Sequence, residues 1–242
     1  MTIELVTDRL VMRSWRAADS DPFAALNADP AVMEFFPATM SREQSDAFID
    51  RIDAGFAERG FGLWALEVAA TQSFVGFTGL IPMPEGAPGA GGMEVGWRLA
   101  RSAWGNGYAT EAGTAALRLA FIELGFDEIW SLTAEINTPS IAVMRRLGLQ
   151  HVATADHPRL PAGSRLNPHV FYRITRREWD SNHVRGAWCH KTKTAIEPKS
   201  VAAVRVVPIP RALREILVEH RGRVDDSRSE AARCSEPFRP PV

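Results

Sequence analysis

The chain has 242 residues, 45% of them hydrophobic and 24% charged, with a formal net charge of −1. That balance belongs to an ordinary soluble globular protein and excludes wholesale disorder. No apolar run reaches the roughly 18–20 residues of a membrane-spanning helix. The start Met1-Thr2-Ile3-Glu4 lacks the basic and apolar regions of a signal peptide, so a cytoplasmic location is expected. Two cysteines, Cys189 and Cys234, cannot build a disulfide framework or a zinc site by themselves, and no metal is expected. The charge is unevenly spread. Residues 1–180 carry 16 arginines, no lysine and 22 acidic residues, a balance of −6. Residues 181–242 carry 12 basic residues, including all three lysines, against 7 acids, a balance of +5. A boundary near Asp180 follows, with a folded domain over 1–180 and a basic, largely disordered tail over 181–242.

Glu4 to Trp15 centres on Leu10-Val11-Met12 and reads as an opening strand. Asp21-Pro22 starts a short helix with Asp21 as its cap. Ser41 and Gln44 form a capping box for a longer helix carrying Phe48, Ile49, Ile52 and Phe56, which Gly60 ends. Strands follow at Leu63–Val68, Phe74–Leu80 and Met93–Leu99. The Pro- and Gly-rich stretch Pro82–Gly92 between the last two reads as a mobile loop. A helix from Ala109 to Leu124, a strand Ile129–Ala134, and a helix capped at Thr138 with Pro139 in its first turn come next. Gly148 stops that helix, and strands Leu149–Ala153 and Val170–Ile174 close the domain. The order implies an α/β fold with a mixed sheet and helices on both faces.

The chemistry concentrates in Met93–Leu99 and the following Trp104-Gly105-Asn106-Gly107-Tyr108-Ala109-Thr110-Glu111. A strand, a glycine turn and a helix start aim successive backbone amides one way, at the positive end of a helix dipole, which suits a pyrophosphate. A Walker loop is excluded, because no Gly-Lys-Ser/Thr triplet exists. A dinucleotide fingerprint would need glycine where Thr110 stands and would follow the first strand. A plain tight turn remains the alternative for the glycine pair alone.

A second segment, Asn137-Thr138-Pro139-Ser140-Ile141-Ala142-Val143-Met144-Arg145-Arg146-Leu147-Gly148, lies at a telling separation. Together the two segments resemble the GNAT superfamily of N-acetyltransferases, and its RimJ/RimL-like branch in particular. Asn137, Ser140, Met144, Leu147 and Gly148 match the branch's later motif. Thr7-Asp8-Arg9-Leu10-Val11-Met12-Arg13 resembles its opening strand. Asp156-His157-Pro158 and Val170-Phe171-Tyr172-Arg173 with Trp179 resemble its end. Trp104 departs from the usual Gln or Arg but removes no backbone amide. The resemblance spans residues 4–180 and implies a GNAT-like fold, a mostly antiparallel mixed sheet flanked by helices. It also implies acetyl-CoA as donor, a small-molecule or peptide amine as acceptor, and a monomer or homodimer. The implied donor site comprises Trp97, Arg98 and Leu99 on the strand, Trp104, Gly105, Asn106, Gly107, Tyr108, Ala109 and Thr110 at the turn, and Asn137 and Ser140.

An ammonium cannot attack a thioester until it loses a proton. Glu94 is the base candidate, on the strand and off Val95's face; a solvated or salt-bridged carboxylate is the alternative. The superfamily's tyrosine proton donor falls at Met144, which has no proton to give. Ser140, one turn earlier, is the substitute, unless its hydroxyl bonds only local backbone. Tyr172 and His157 are lesser candidates. The acceptor cleft is expected between the first helices, Pro82–Gly92 and Asp156–Leu166, and the −6 balance would suit cationic acceptors. A non-catalytic acyl-CoA-binding module is the other function class. In the tail, residues 190–223, and Pro198 to Leu217 above all, resemble a fragment of a phage-type tyrosine recombinase without its catalytic set. Nucleic-acid binding by this basic segment is the alternative to a fusion remnant.

Overall fold

A computed structural model of the chain describes residues 3–185 and three two-residue strands at 188–189, 194–195 and 205–206. The recombinase-like stretch, apart from those strands, lies outside the described residues, as does most of the basic tail.

The opening stretch is a hairpin rather than one strand. β1 (Leu5–Val6) and β2 (Leu10–Arg13) pair antiparallel. Thr7 makes the turn: its N–H donates to the Leu10 carbonyl at 2.9 Å, and its hydroxyl accepts the Leu10 N–H at 3.0 Å. Helix α1 (Ser20–Ala28) starts one residue before Asp21, which lies in its first turn instead of capping it. Helix α2 (Arg42–Arg59) has the expected capping box, Ser41 Oγ accepting the Gln44 N–H at 3.2 Å and Gln44 Oε1 accepting the Ser41 N–H at 2.8 Å. Gly60 ends it at φ 77°, a conformation only glycine adopts freely.

β3 (Leu63–Val68), β4 (Ser73–Pro82) and β5 (Met93–Leu99) form an antiparallel meander. The loop expected to be mobile is packed. Met83 and Ala87 are buried with Trp130 and Phe171, and the Met83 N–H closes the loop on the Gly92 carbonyl at 3.0 Å. A Cβ on Gly89 would lie 2.5 Å from the Trp130 ring, so small residues let the backbone settle on an indole. Composition signalled a loop correctly; the distant tryptophan decides its order.

Helix α3 (Tyr108–Arg118) widens over Leu119–Glu123, where the Leu124 N–H reaches back to the Leu119 carbonyl at 3.0 Å. Then come β6 (Glu128–Ala134), α4 (Thr138–Arg146), β7 (Gln150–Ala155), β8 (His169–Thr175) and α5 (Arg176–Arg185). Helix α5 crosses the boundary expected at Asp180. β9 (Trp188–Cys189) pairs with β10 (Thr194–Ala195), and β11 (Arg205–Val206) pairs with β1. The main sheet runs β11-β1-β2-β3-β4-β5-β6-β8-β7, antiparallel throughout except between β5 and β6. It is the mixed, mostly antiparallel α/β architecture expected.

Helices α1 and α2 bring Phe23, Leu26 and Ile52 onto Leu63 and Phe77. Rings of Trp15, Phe23, Phe48 and Phe77 meet edge-on or tilted, the nearest pair 4.7 Å apart. Full burial of a side chain such as Phe23 contributes roughly 1.5–3 kcal/mol. Helix α3 packs on β4 and β5 through Ala112, Ala115 and Ala116, and Gly113 admits Leu147, the residue that ends α4, within 2.8 Å of where a Cβ would stand. At the sheet's other side Arg13 is fully buried between two carboxylates, bidentate to Asp19 (2.7 and 2.9 Å) and bonded to Glu67 at 2.8 Å. The bonds from Asp19 outweigh burial and, with those from Glu67, raise its pKa further above the ordinary range.

Candidate active site

β5 and β6 run parallel but pair at one point, Glu94 opposite Trp130. Ser131 Oγ donates to the Val95 carbonyl at 2.9 Å, which fixes that carbonyl toward β6. Strand alternation turns the backbone groups of Trp97 and Leu99 the same way. No residue of β6 pairs with them, so β5 offers a free edge to the amides of an extended ligand. Trp104, half exposed, donates its indole N–H to the Leu99 carbonyl at 2.9 Å, which leaves the Leu99 N–H for a ligand.

The edge leads to the glycine turn. Gly105 and Gly107 take φ 77° and 80°, and no atom lies within 4 Å of a Cβ placed on Gly105. Gly107 is the N-cap of α3 and has no side chain to accept a hydrogen bond, so the N–H groups of Tyr108, Ala109 and Thr110 have no intrahelical partner. The exposed Asn106 folds back on the turn, its amide donating to the carbonyls of Ala103 and Trp104 at 3.2 Å each.

Arg9 fastens this turn from the β1–β2 hairpin. It donates to the Asn106 carbonyl at 3.0 Å and to Glu111 Oε2 at 2.7 Å, and its guanidinium lies 5.0 Å from the Tyr108 ring. Thr7 Oγ1 donates to Glu111 Oε1 at 2.6 Å. Burial alone would raise the Glu111 pKa, but the bonds from Thr7 and Arg9 outweigh it and hold it low. The carboxylate therefore stays ionised and neutralised beside the amides. Sequence reasoning missed this role for Thr7, Arg9 and Glu111, whose contacts span 102 and 104 residues and leave no local signal.

On α4 the cap is Asn137, not Thr138. Asn137 Oδ1 accepts the Ser140 N–H at 3.2 Å, and its Nδ2 donates to Thr133 Oγ1 at 2.9 Å. One amide hydrogen remains for a ligand. The half-buried Ser140 hydroxyl makes no hydrogen bond among the described residues, which removes the local-backbone alternative. Met144 is fully buried.

Glu94, Gly96 and Arg98 share one face of β5 with the β4 residues paired to them, Ile81, Gly79 and Phe77. Glu94 is half buried and has no salt bridge among the described residues; desolvation pushes its pKa to about 8 against the opposing pull of Arg159. Arg159 belongs to the segment that closes over this face. Arg165 in that segment donates to the Glu34 carbonyl at 2.6 Å, and Pro158 lies 3.6 Å from a Cβ placed on Gly86. The three stretches expected to enclose an acceptor cleft thus converge. His157 Nδ1 accepts the Arg159 N–H at 3.1 Å, so that lone pair is occupied and His157 recedes as a base. Tyr172 is buried in β8 against His151, a core position.

Arg98 differs from its expected place. Its side chain is 9% exposed and lies among α1, α2 and their connection, not at the glycine turn. It donates to Asn27 Oδ1 at 2.6 Å and stands 4.1 Å from the Phe36 ring. No carboxylate pairs with it among the described residues, its Nε has no partner, and burial lowers its pKa to about 10. Strand alternation is the reason: Arg98 falls on the Glu94 face.

Among the described residues no group of three or more His, Cys, Asp or Glu side chains could hold a metal ion, and no helix is long and apolar enough to cross a membrane. A family model described as an acetyltransferase (GNAT) domain matches residues 9–150. The uncharacterized protein YkkB of Bacillus subtilis (strain 168) is 32% identical over 152 residues, covering 62% of this chain and 87% of that one. The FsC-acetyl coenzyme A-N(2)-transacetylase of Aspergillus fumigatus is 39% identical over 128 residues, 50% of this chain and 52% of its own length. A GNAT-family acetyltransferase structure from Bacillus anthracis superposes with a TM-score of 0.61 at 20% identity, covering 72% of this chain and 99% of that one.

Proposed function

Given that the chain belongs to the GNAT family of acetyltransferases, we propose that it moves an acetyl group from acetyl-CoA to a primary amine, in the manner of the RimJ/RimL-like branch. One observation carries the donor assignment: the unpaired edge of β5 runs into the free amides of Tyr108, Ala109 and Thr110. An extended arm with two amides fits the first, and a pyrophosphate fits the second. The Aspergillus relative, whose name places acetyl coenzyme A and a nitrogen in its reaction, supports the same reading. A non-catalytic acyl-CoA-binding module would have no use for a desolvated carboxyl facing the cleft.

Glu94 takes the proton. With a pKa of about 8 it is matched to an α-ammonium near 8, so the transfer costs little free energy. The freed nitrogen attacks the thioester carbonyl carbon; the C–N bond forms, the C–S bond breaks, and of the two protons left on nitrogen one ends on the sulfur while the other stays on the amide. The Ser140 hydroxyl, unoccupied within the protein, hydrogen-bonds the departing sulfur. Because Glu94 must be ionised to act, turnover rises with pH through about 8.

The test is amine-dependent release of free CoA thiol. Glu94→Gln lowers turnover by on the order of 10²–10⁴-fold, with acetyl-CoA affinity by calorimetry unchanged and the pH dependence now following only the neutral fraction of the acceptor amine. An unchanged rate removes Glu94 from the mechanism, and binding of NAD without binding of acetyl-CoA sinks the donor assignment.

A further inference from the structure

Building on the acetyltransferase reading, we propose that Arg98 is an anion receptor in the acceptor cleft, so that the preferred acceptors are amines that also carry a carboxylate. The residue is nine-tenths buried, yet its partners among the described residues are neutral: the Asn27 side-chain carbonyl oxygen, the Met40 sulfur at 3.9 Å, and the faces of Phe36, Phe48 and Phe77 at 4.1, 5.7 and 5.5 Å. Its Nε has no acceptor. A charge taken out of water needs a counter-charge, and the described residues supply none.

The setting points to where the counter-charge comes from. Glu94, Gly96 and Arg98 follow one another along one face of β5, their first and last Cα atoms about 13 Å apart at the usual strand rise. Gly96 leaves a hollow between them. A Cβ placed there would meet nothing within 4 Å except Glu94 Oε1, at 3.4 Å. An acceptor lying in that hollow presents its ammonium to Glu94 and its far end to Arg98. A short amine with a carboxylate several bonds away fits both ends. The reach of Arg159 to Glu94 adds positive charge at the same cleft. Local charge thus runs opposite to the −6 of residues 1–180, and the cationic acceptors suggested by that balance are disfavoured here.

The experiment compares matched acceptors on the full-length protein: β-alanine, 4-aminobutyrate and 5-aminopentanoate against the corresponding amides, read as kcat/KM for CoA release. Wild type prefers the carboxylates by on the order of 10²-fold, chiefly through KM. Arg98→Gln erases the preference and leaves the KM for acetyl-CoA unchanged. Asn27→Asp is the second variant, since it sets a carboxylate against Arg98 with almost no change of shape, and Ser45 Oγ, 3.2 Å from the Asn27 amide, can donate to it. It keeps the fold and loses the preference too. Equal use of acids and amides by wild type, or a preference that survives in either folded variant, overturns the assignment. Failure of every amine, with acetyl-CoA still bound, would instead count against the transferase reading itself.

Discussion

Arg13 and Arg98 are both buried arginines, and the fold treats them in opposite ways. Arg13 is closed on two carboxylates, Asp19 and Glu67, which raise its pKa. Arg98 is enclosed by aromatic rings and one amide, and its pKa falls to about 10. The first is a joint, tying β2 to β3 and to the turn before α1. The second is a charge left unanswered beside the cleft. Burial alone does not distinguish a structural arginine from a functional one; the presence of a carboxylate does.

The largest effect that sharpens this contrast is on stability. Arg13→Ala leaves buried Asp19 without its counter-charge and Glu67 with Arg16 alone, and costs about 3–5 kcal/mol, read as a lowered denaturation midpoint. Arg98→Met, in contrast, replaces an unpaired charge by an apolar chain among rings, and stability changes by about 1 kcal/mol or less, or rises. Equal destabilisation by the two variants would break the comparison.

Glu94 extends it to a carboxylate. Its pKa is raised from 4.5 to about 8 by desolvation, so the folded state holds a proton that the unfolded chain releases. Stability associated with this group is full below pH 4.5 and is lost as pH rises to about 8. Glu94→Gln therefore melts higher than wild type, by a margin that widens across that window and is constant above it. A margin independent of pH would show that Glu94 is solvated.

The smallest effect concerns the end of the chain. Ending it at residue 185 keeps α5 whole and removes only short strands from the described fold. Acetyl-CoA affinity stays constant, and stability changes by about 0.5 kcal/mol or less. Ending it at Asp180 cuts α5 and removes Asn182, whose Nδ2 lies 2.9 Å from a Cβ placed on Gly148. Comparing melting curves of the two shortened chains locates the boundary.

What was legible in the sequence was local. Ser41 and Gln44 stand three residues apart, and so do the atoms they join; Gly105 and Gly107 signal their turn by themselves. The cap of α4 was misplaced by one residue because Asn137 and Thr138 are both good caps, and only Thr133, on the preceding strand, favours Asn137. The Pro82–Gly92 loop gave its composition but not Trp130, its distant support. Glu94 was readable from strand alternation, whereas its desolvation was not. Arg98 lay in a motif that resemblance gave to the donor, and its actual neighbours, Asn27 and Phe36, belong to segments more than 60 residues away.

Between β5 and β6 the sheet is held apart as much as it is held together. Ser131 reaches Val95 with a side-chain hydroxyl where a backbone amide would have closed the ladder. At that point the two strands are joined through the length of one side chain. Alanine at 131 removes the spacer and threonine crowds it with a methyl group, while strand order and core stay as they are. Under the proposed donor assignment, a single codon retunes how snugly the donor's arm is gripped without rebuilding the scaffold.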